Sequence, residues 1–356
     1  MTIIQRYYIK EFIRIFSILT IGLSMFASLI ELINRIDDFL PHNPSLEDLL
    51  YYSLLNIPSY FLYTMPVCIL LSGLFVMGNA GRRRETVAIM SSGGSLKKML
   101  SIFILIGVIM TFFSFLISEF ISPPATRKAH ELKDNLSRPR GQNQIGFSGD
   151  MIWLRSKEGI IKIDLYLPDR DLLKGVSIFR IDGDMLSERI EADYAEWRPD
   201  KGIWVLRNGT IYSIQKGVIR SFTELPIEIM PPKVFSEGVR KPDEMNLKEL
   251  LNYMKRLKEA GFKNNKLLVD MQSRIAYPFI NLIMMVLGIS LAVSGQMRSG
   301  LITAAIGIGI SLLYWLLLSF ALSMSYTGIL PAYLGPWSIP LIFGSFAIYR
   351  FARIPE

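Results

Sequence analysis

Residues 78–95 read GNAGRRRETVAIMSSGGS. Arg82, Arg83, Arg84 and Glu85 are four consecutive charged residues set between two long apolar stretches. The spacing predicts a short helix after them. Glu85 and Thr86 fall in its first turn, where an acid suits the helix dipole. Val87, Met90 and Ser91 share one face, and Gly93 and Gly94 end it. Two uses fit these residues. The arginines can simply hold a loop on one side of a membrane. Alternatively, the helix can lie in a groove of a separate ATPase, with Glu85 meeting a basic residue there and Arg84, Thr86 and Met90 flanking the contact.

Other chemistry is sparse. G-x-x-x-x-G-K-[ST], H-E-x-x-H and G-x-S-x-G patterns are absent. Cys68 is the one cysteine, so no intramolecular disulfide or cysteine-based zinc site can form. His42 and His130 are the only histidines and lie far apart in sequence. The chain therefore reads as a non-enzyme with no cofactor of its own; any ATP and magnesium chemistry would sit in another polypeptide.

The elements that must position the charged stretch are membrane spans. Of the 356 residues, 51% are hydrophobic, and the mean hydropathy is +0.34. A span needs roughly 20 apolar residues to cross ~30 Å of hydrocarbon. Phe12–Ile33, Leu49–Gly81, Met99–Ser118 and Ile275–Gly295 qualify. Residues 299–349 hold no Asp, Glu, Lys or Arg, and TGILPAYLGP at 327–336 splits that run into two more. Six spans result, three plus three. Pro58 and Pro66 should kink the second. The N-terminal stretch reads as a retained span and not a cleaved signal.

Basic residues orient them. Arg6, Lys10, Arg14, Arg82–Arg84, Lys97, Lys98, Arg298, Arg350 and Arg353 gather on one side, which is therefore cytoplasmic. Both termini share it. Net charge is +8, which this topology signal accounts for without any nucleic-acid partner.

The polar segment between spans three and four then lies outside. In IIKIDLYL, Ile161, Ile163, Leu165 and Leu167 alternate with Lys162 and Asp164. IEADYAEW repeats the pattern, and RPDKG at 198–202 makes a turn. Several short strands with regular turn signals imply a β-sandwich or jelly roll. A helix follows, with Asn246 and Glu249 as reciprocal caps and Gly261 at its end. The expected division is 1–122 for spans one to three with a cytoplasmic helix at about 82–95, 123–245 for the β-domain, 246–265 for a connecting helix, and 266–356 for spans four to six.

NIPSYFLYTMPVCILLSGLFVMGNAGRRRETVAIMSSGGS resembles the second span and coupling helix of the LptF/LptG permeases, membrane subunits of the ATP-driven lipopolysaccharide export machine of Gram-negative bacteria. ISEFISPPATRKAHELK is similar to the family's exit from span three. YMKRLKEAGFKNNKLLVDMQSRIAYPFINLIMMVLGISLAV is similar to its return into span four. GILPAYLGPWSIP resembles the LptG branch more than the LptF branch.

The resemblance implies a six-span, one-jelly-roll inner-membrane protein with its β-domain in the periplasm. It implies an LptF-like partner permease, an LptB-like ATPase homodimer below, and LptC/LptA-like bridge proteins above. Lipopolysaccharide would enter a cavity lined by spans one, two and five and be pushed into the jelly roll. Glu85 aligns with the family's acidic coupling residue. Arg35, Arg127, Lys128 and Lys133 are candidates for the lipid's phosphates, and Phe26, Phe61, Met65 and Tyr314 for its acyl chains. This chain departs from well-known members in having Asn34 where some carry lysine, and His130 and Lys133 where arginines are common. A non-transporting scaffold, whose β-domain binds a cell-envelope partner, is the alternative.

Overall fold

A computed structural model of the chain describes residues 3–39, 44–136, 145–148, 151–156, 159–167, 171–182, 185–214, 217–227, 229, 232, 242–259, 265–294 and 299–354. His42, Gly261 and Arg298 lie outside the described residues. Two compact units form, Met1–Ser137 with Pro242–Glu356, and Arg138–Lys241.

In the first unit, α1 (Ile3–Asn34) is followed by a short α2 (Ile36–Phe39) and by α3 (Leu46–Arg82). α3 starts at a capping box, Ser45 with Asp48, and continues through Pro58 and Pro66. It is the buried centre of the unit: 72% of its apolar window is buried, against 22% for α1. α1 meets it through one strict four-residue stripe, Tyr8, Phe12, Phe16, Thr20, Ser24 and Ser28. Small residues at the upper end of this stripe let the backbones approach. Ser24 and Thr64 hydroxyls sit 3.1 Å apart, and those of Ser28 and Ser53 2.9 Å apart.

After α4 (Glu85–Ser91), α5 (Leu96–Leu116) passes without a break through a π-helical turn, Ile117–Ile121, into α6 (Ser122–Leu136). The helix runs past the expected boundary at 123, and 123–136 falls in the first unit. Pro123 and Pro124 read as breakers, since each lacks an N–H and crowds the carbonyl four residues back. The wider π turn directly before them changes that register, and the helix carries on.

α7 (Leu247–Glu259) begins at the expected reciprocal cap: Glu249 N–H donates to Asn246 Oδ1 at 2.8 Å and Asn246 N–H to Glu249 Oε2 at 3.0 Å. The fourth span is not one rod. α8 (Asn265–Ala276) and α9 (Phe279–Ser294) meet at Tyr277–Pro278 with a 46° bend. α10 (Gly300–Tyr326) and α11 (Leu334–Ala352) complete the unit. Among the described residues four helices are long and apolar enough to cross a membrane, or five with the bent pair. α11, with two prolines and Arg350, is the further span that the count of six included and is not among these.

The second unit is a seven-stranded antiparallel sheet: β1 (Ile145–Ser148), β2 (Met151–Ser156), β3 (Gly159–Leu167), β4 (Leu172–Asp182), β5 (Met185–Arg198), β6 (Ile203–Ser213) and β7 (Val218–Ile227). Among the described residues each strand pairs with its sequence neighbour, so the order is a meander. One row across it is special. Asp164, Gly175, Asp193 and Asn208 face one another in register but are left out of the pairing, and Gly175 and Asn208 have φ of 64° and 51°. Buried positions change parity across this row, from Ile163 to Tyr166, from Val176 to Leu173, and from Ala192 to Ala195. The sheet therefore switches its core-facing side along a crease. Leu165 and Leu167 are buried as the alternation of IIKIDLYL expects, but beyond Asp164 Tyr166 between them is buried as well, so the alternation ends there.

Candidate functional site

The charged stretch is built as follows. α3 ends at Arg83, whose N–H donates to Asn79 O. Arg84 adopts a left-handed conformation, φ 55°, which turns the chain so that α4 starts at once. At the far end Gly93, φ 80°, and Gly94 return N–H groups to Met90 O (3.1 Å) and Ile89 O (2.9 Å). Thr86 is buried, and Ile89 and Met90 pack on the helical core. Val87, Ala88 and Ser91 form the free face, so Met90 does not share it as its spacing predicted. Glu85 is half-buried. Its Oε2 accepts the Tyr8 hydroxyl at 2.5 Å, and its Oε1 lies 4.0 Å from the Arg83 guanidinium.

The opposite end of α1 carries the basic candidates. Arg35 is paired with Glu31 on the same helix. Lys133 Nζ lies 3.0 Å from Asp38 Oδ2 and holds that carboxyl below its ordinary range. Arg127 pairs with Glu131 at 3.1 Å, and Lys128 is exposed on α6. Arg35 and Lys133 thus sit in one local charge network, since each also acts on the other's acid, while Arg127 and Lys128 lie on the exposed side of α6.

Beside this network is a cavity of about 420 Å³ walled by α1, α3, α6, α8, α9 and α10. Glu31, Asp243, Arg35 and Arg274 give it charge, and Tyr52, Tyr60, Tyr63, Tyr277, Trp315 and Tyr326 give it an aromatic lining. Ser59 holds two neighbours across the α3–α6 seam, Ser122 at 2.9 Å and Thr126 at 3.1 Å. Next to it the segment 242–247 is clasped from three sides. Arg274 donates to the carbonyls of Pro242 and Met245. Glu119 accepts the Leu247 N–H, and His130 Nδ1 lies 2.7 Å from Glu244 Oε1. Of the cavity's lining, sequence reasoning names Arg35 as a candidate and misses the aromatic residues and Arg274. Its available signal was the aromatic set on α3, Tyr52, Tyr60 and Tyr63, at near-helical spacing.

The four apolar candidates part company. Phe26 is exposed on α1. Phe61 is partly buried, its ring edge-on to Phe113 at 6.4 Å. Met65 and Tyr314 are fully buried in the helical core, with Tyr314 edge-on to Phe343 at 4.9 Å. For these two, packing replaces the cavity-lining role. Apolar surface is left open on α1 (Ile18, Ile21, Phe26, Ile33) and α10 (Leu312, Leu316, Phe320), and also on α5 (Val108, Ile109, Phe112) and α11 (Leu341, Ile342, Ile348). Among the described residues no three His, Cys, Asp or Glu side chains group as a metal site would.

Comparison with known proteins bears on the same features. Residues 6–353 match the family described as lipopolysaccharide export system permease LptF/LptG. The chain is 23% identical over 310 residues to the lipopolysaccharide export system permease protein LptG of Escherichia coli K12, covering 83% of this chain and 82% of that protein. LptG of Escherichia coli O6:H1 gives the same figures. The chain belongs to the LptF/LptG permease family.

Proposed function

We propose that this chain is one permease subunit of an ATP-driven lipopolysaccharide exporter in the inner membrane of a Gram-negative bacterium. It pairs with an LptF-like homologue, rests on an LptB-like ATPase homodimer that binds ATP and magnesium, and passes lipid to LptC/LptA-like bridge proteins. The bent pair α8–α9 and the proline-containing α11 serve as spans four and six. Both termini are cytoplasmic, and the creased sheet is a periplasmic module.

The observation that carries this reading is the pairing of two ends. At one, α4 offers a free Val87–Ala88–Ser91 face beside Glu85. At the other, Arg35 and Lys133 stand by an open apolar surface on α1. Lifting a lipid from a bilayer costs about 0.8 kcal/mol per methylene exposed, so a multi-acyl lipid needs both an apolar shelter and an energy source. α1 and α10 supply shelter on their uncovered sides. α4 supplies a surface on which an ATPase can push. The phosphates of the lipid would displace Glu31 and Asp38 as partners of Arg35 and Lys133, a charge-for-charge exchange.

The test is lipid release. The chain, its partner permease, the ATPase and the bridge are reconstituted in proteoliposomes loaded with lipopolysaccharide, and release is followed with ATP. Glu85→Arg is expected to abolish ATP-dependent release. Undiminished release by that variant overturns the coupling assignment.

A further inference from the structure

Resting on that reading, we infer that Tyr8 is the positioning residue of Glu85, and that the first turns of α1 belong to the coupling device. Tyr8 and Glu85 are 77 residues apart, and their 2.5 Å hydrogen bond joins two elements that the chain connects only through the whole of α1 and α3. Tyr8 is buried at the start of the α1 stripe, so its ring is fixed by packing and its hydroxyl has a defined direction. A second tie lies next to it: Gln5 Nε2 donates to Lys98 O at 3.2 Å, fastening the same turn of α1 to the start of α5. Further along, the ring of Phe12 stands edge-on to Phe103 of α5, at 5.9 Å.

The geometry divides the carboxylate. An ionised Glu is an acceptor with two oxygens. Tyr8 occupies Oε2, and Oε1 is left facing the exposed Arg83 at the long distance of 4.0 Å. A cation of the ATPase can take Oε1 without breaking the Tyr8 bond, and the displaced Arg83 stays solvated. With the bond intact, a push on α4 reaches α1 directly. α1 carries the open apolar surface and ends at Arg35, so the same helix touches both the drive and the lipid side. Through α3 alone the push would act on a helix enclosed by its neighbours, 72% of its apolar stretch being buried against 22% for α1.

The experiment uses the reconstituted complex and compares lipopolysaccharide released per phosphate formed. Tyr8→Phe keeps the ring and removes the donor. A hydrogen bond to a charged acceptor of this kind is worth roughly a tenfold effect, and the release-to-hydrolysis ratio is expected to fall by up to that factor while the complex still assembles. Fluorotyrosine at position 8 keeps ring and donor and is expected to restore the ratio. Tyr7→Phe, one residue away and exposed, is expected to leave it unchanged. In a double-mutant cycle, Tyr8→Phe should add little in a Glu85→Gln background. An unchanged ratio in Tyr8→Phe, a failure of fluorotyrosine to restore it, or a full additive loss in the double variant overturns the inference. If Glu85→Arg abolishes release while Tyr8→Phe is silent, only the role of Tyr8 falls. If Glu85→Arg is itself silent, the proposed function loses its coupling site.

Discussion

Glu119 accepts the backbone N–H of Leu247 through both carboxylate oxygens, each at 2.9 Å, across 128 residues of sequence. An acid in an apolar stretch reads as an interface anchor, but here it caps a helix. The π-helical turn that contains Glu119 sets it opposite the first turn of α7, where an anion satisfies both a free N–H and the helix dipole. Glu119→Ala should release that amide at a cost of about 1 kcal/mol, with Glu119→Gln in between. Hydrogen exchange checks it: faster exchange confined to the start of α7 is expected, and unchanged protection there contradicts the capping role.

The α3–α9 contact depends on two glycines of unequal tolerance. A Cβ on Gly288 would lie 2.9 Å from the Leu70 carbonyl oxygen, whereas one on Gly73 would meet nothing closer than 3.6 Å. Alanine favours a helix by up to about 1 kcal/mol over glycine. Overpacking against backbone costs roughly 1–3 kcal/mol. Gly288→Ala should therefore lower the thermal unfolding temperature in detergent, and Gly73→Ala should hold or raise it. Equal effects of the two would contradict this packing.

Much of this architecture was legible in the sequence, for identifiable reasons. Helices written in long charge-free runs were plain, and so was the cap at Asn246 and Glu249, because its chemistry is local. The turn at 198–202 formed as its residues required, with Gly202 N–H donating to Arg198 O at 2.9 Å. What escaped was set by tertiary register. The π turn before Pro123 cannot be read from residue types. The crease through Asp164, Gly175 and Asn208 needs four strands aligned before it means anything; a Cβ on Gly175 would then strike Asp164. In the coupling stretch the helix formed where its residues required, but its free face differs, since Met90 turns inward onto a core that only the folded helices supply. Tyr8 gave no signal at all, being 77 residues from its partner.

Asp38 provides a pH test. Its hydrogen bond and charge attraction to Lys133 hold the carboxyl below its ordinary value of 3.8. A lowered folded value means the pair contributes stability above pH 3.8, and that contribution is lost as pH falls through the folded value. Lys133→Ala should return the Asp38 titration, followed by carboxyl-carbon resonance, toward the ordinary value. A titration unmoved by that substitution would show that the 3.0 Å pair does not form in solution.

The burial contrast among the apolar candidates predicts a crosslinking pattern. A photoreactive residue at Phe26 or Phe320, both exposed, should capture lipopolysaccharide in the working complex. The same residue at Met65 or Tyr314 should react only within the protein. Lipid adducts at Met65 as strong as those at Phe26 would mean that α3 opens to the lipid, contrary to the packing described.

The central claim is that this chain shapes the passage while a separate subunit hydrolyses ATP. The most direct measurement takes the purified chain alone, then the chain with its permease partner, ATPase and bridge, and records phosphate formation and lipid release in each. The account predicts neither from the chain alone, and both from the complex. Nucleotide hydrolysis by the isolated chain, or a complex that hydrolyses ATP without ever moving lipid, would contradict it.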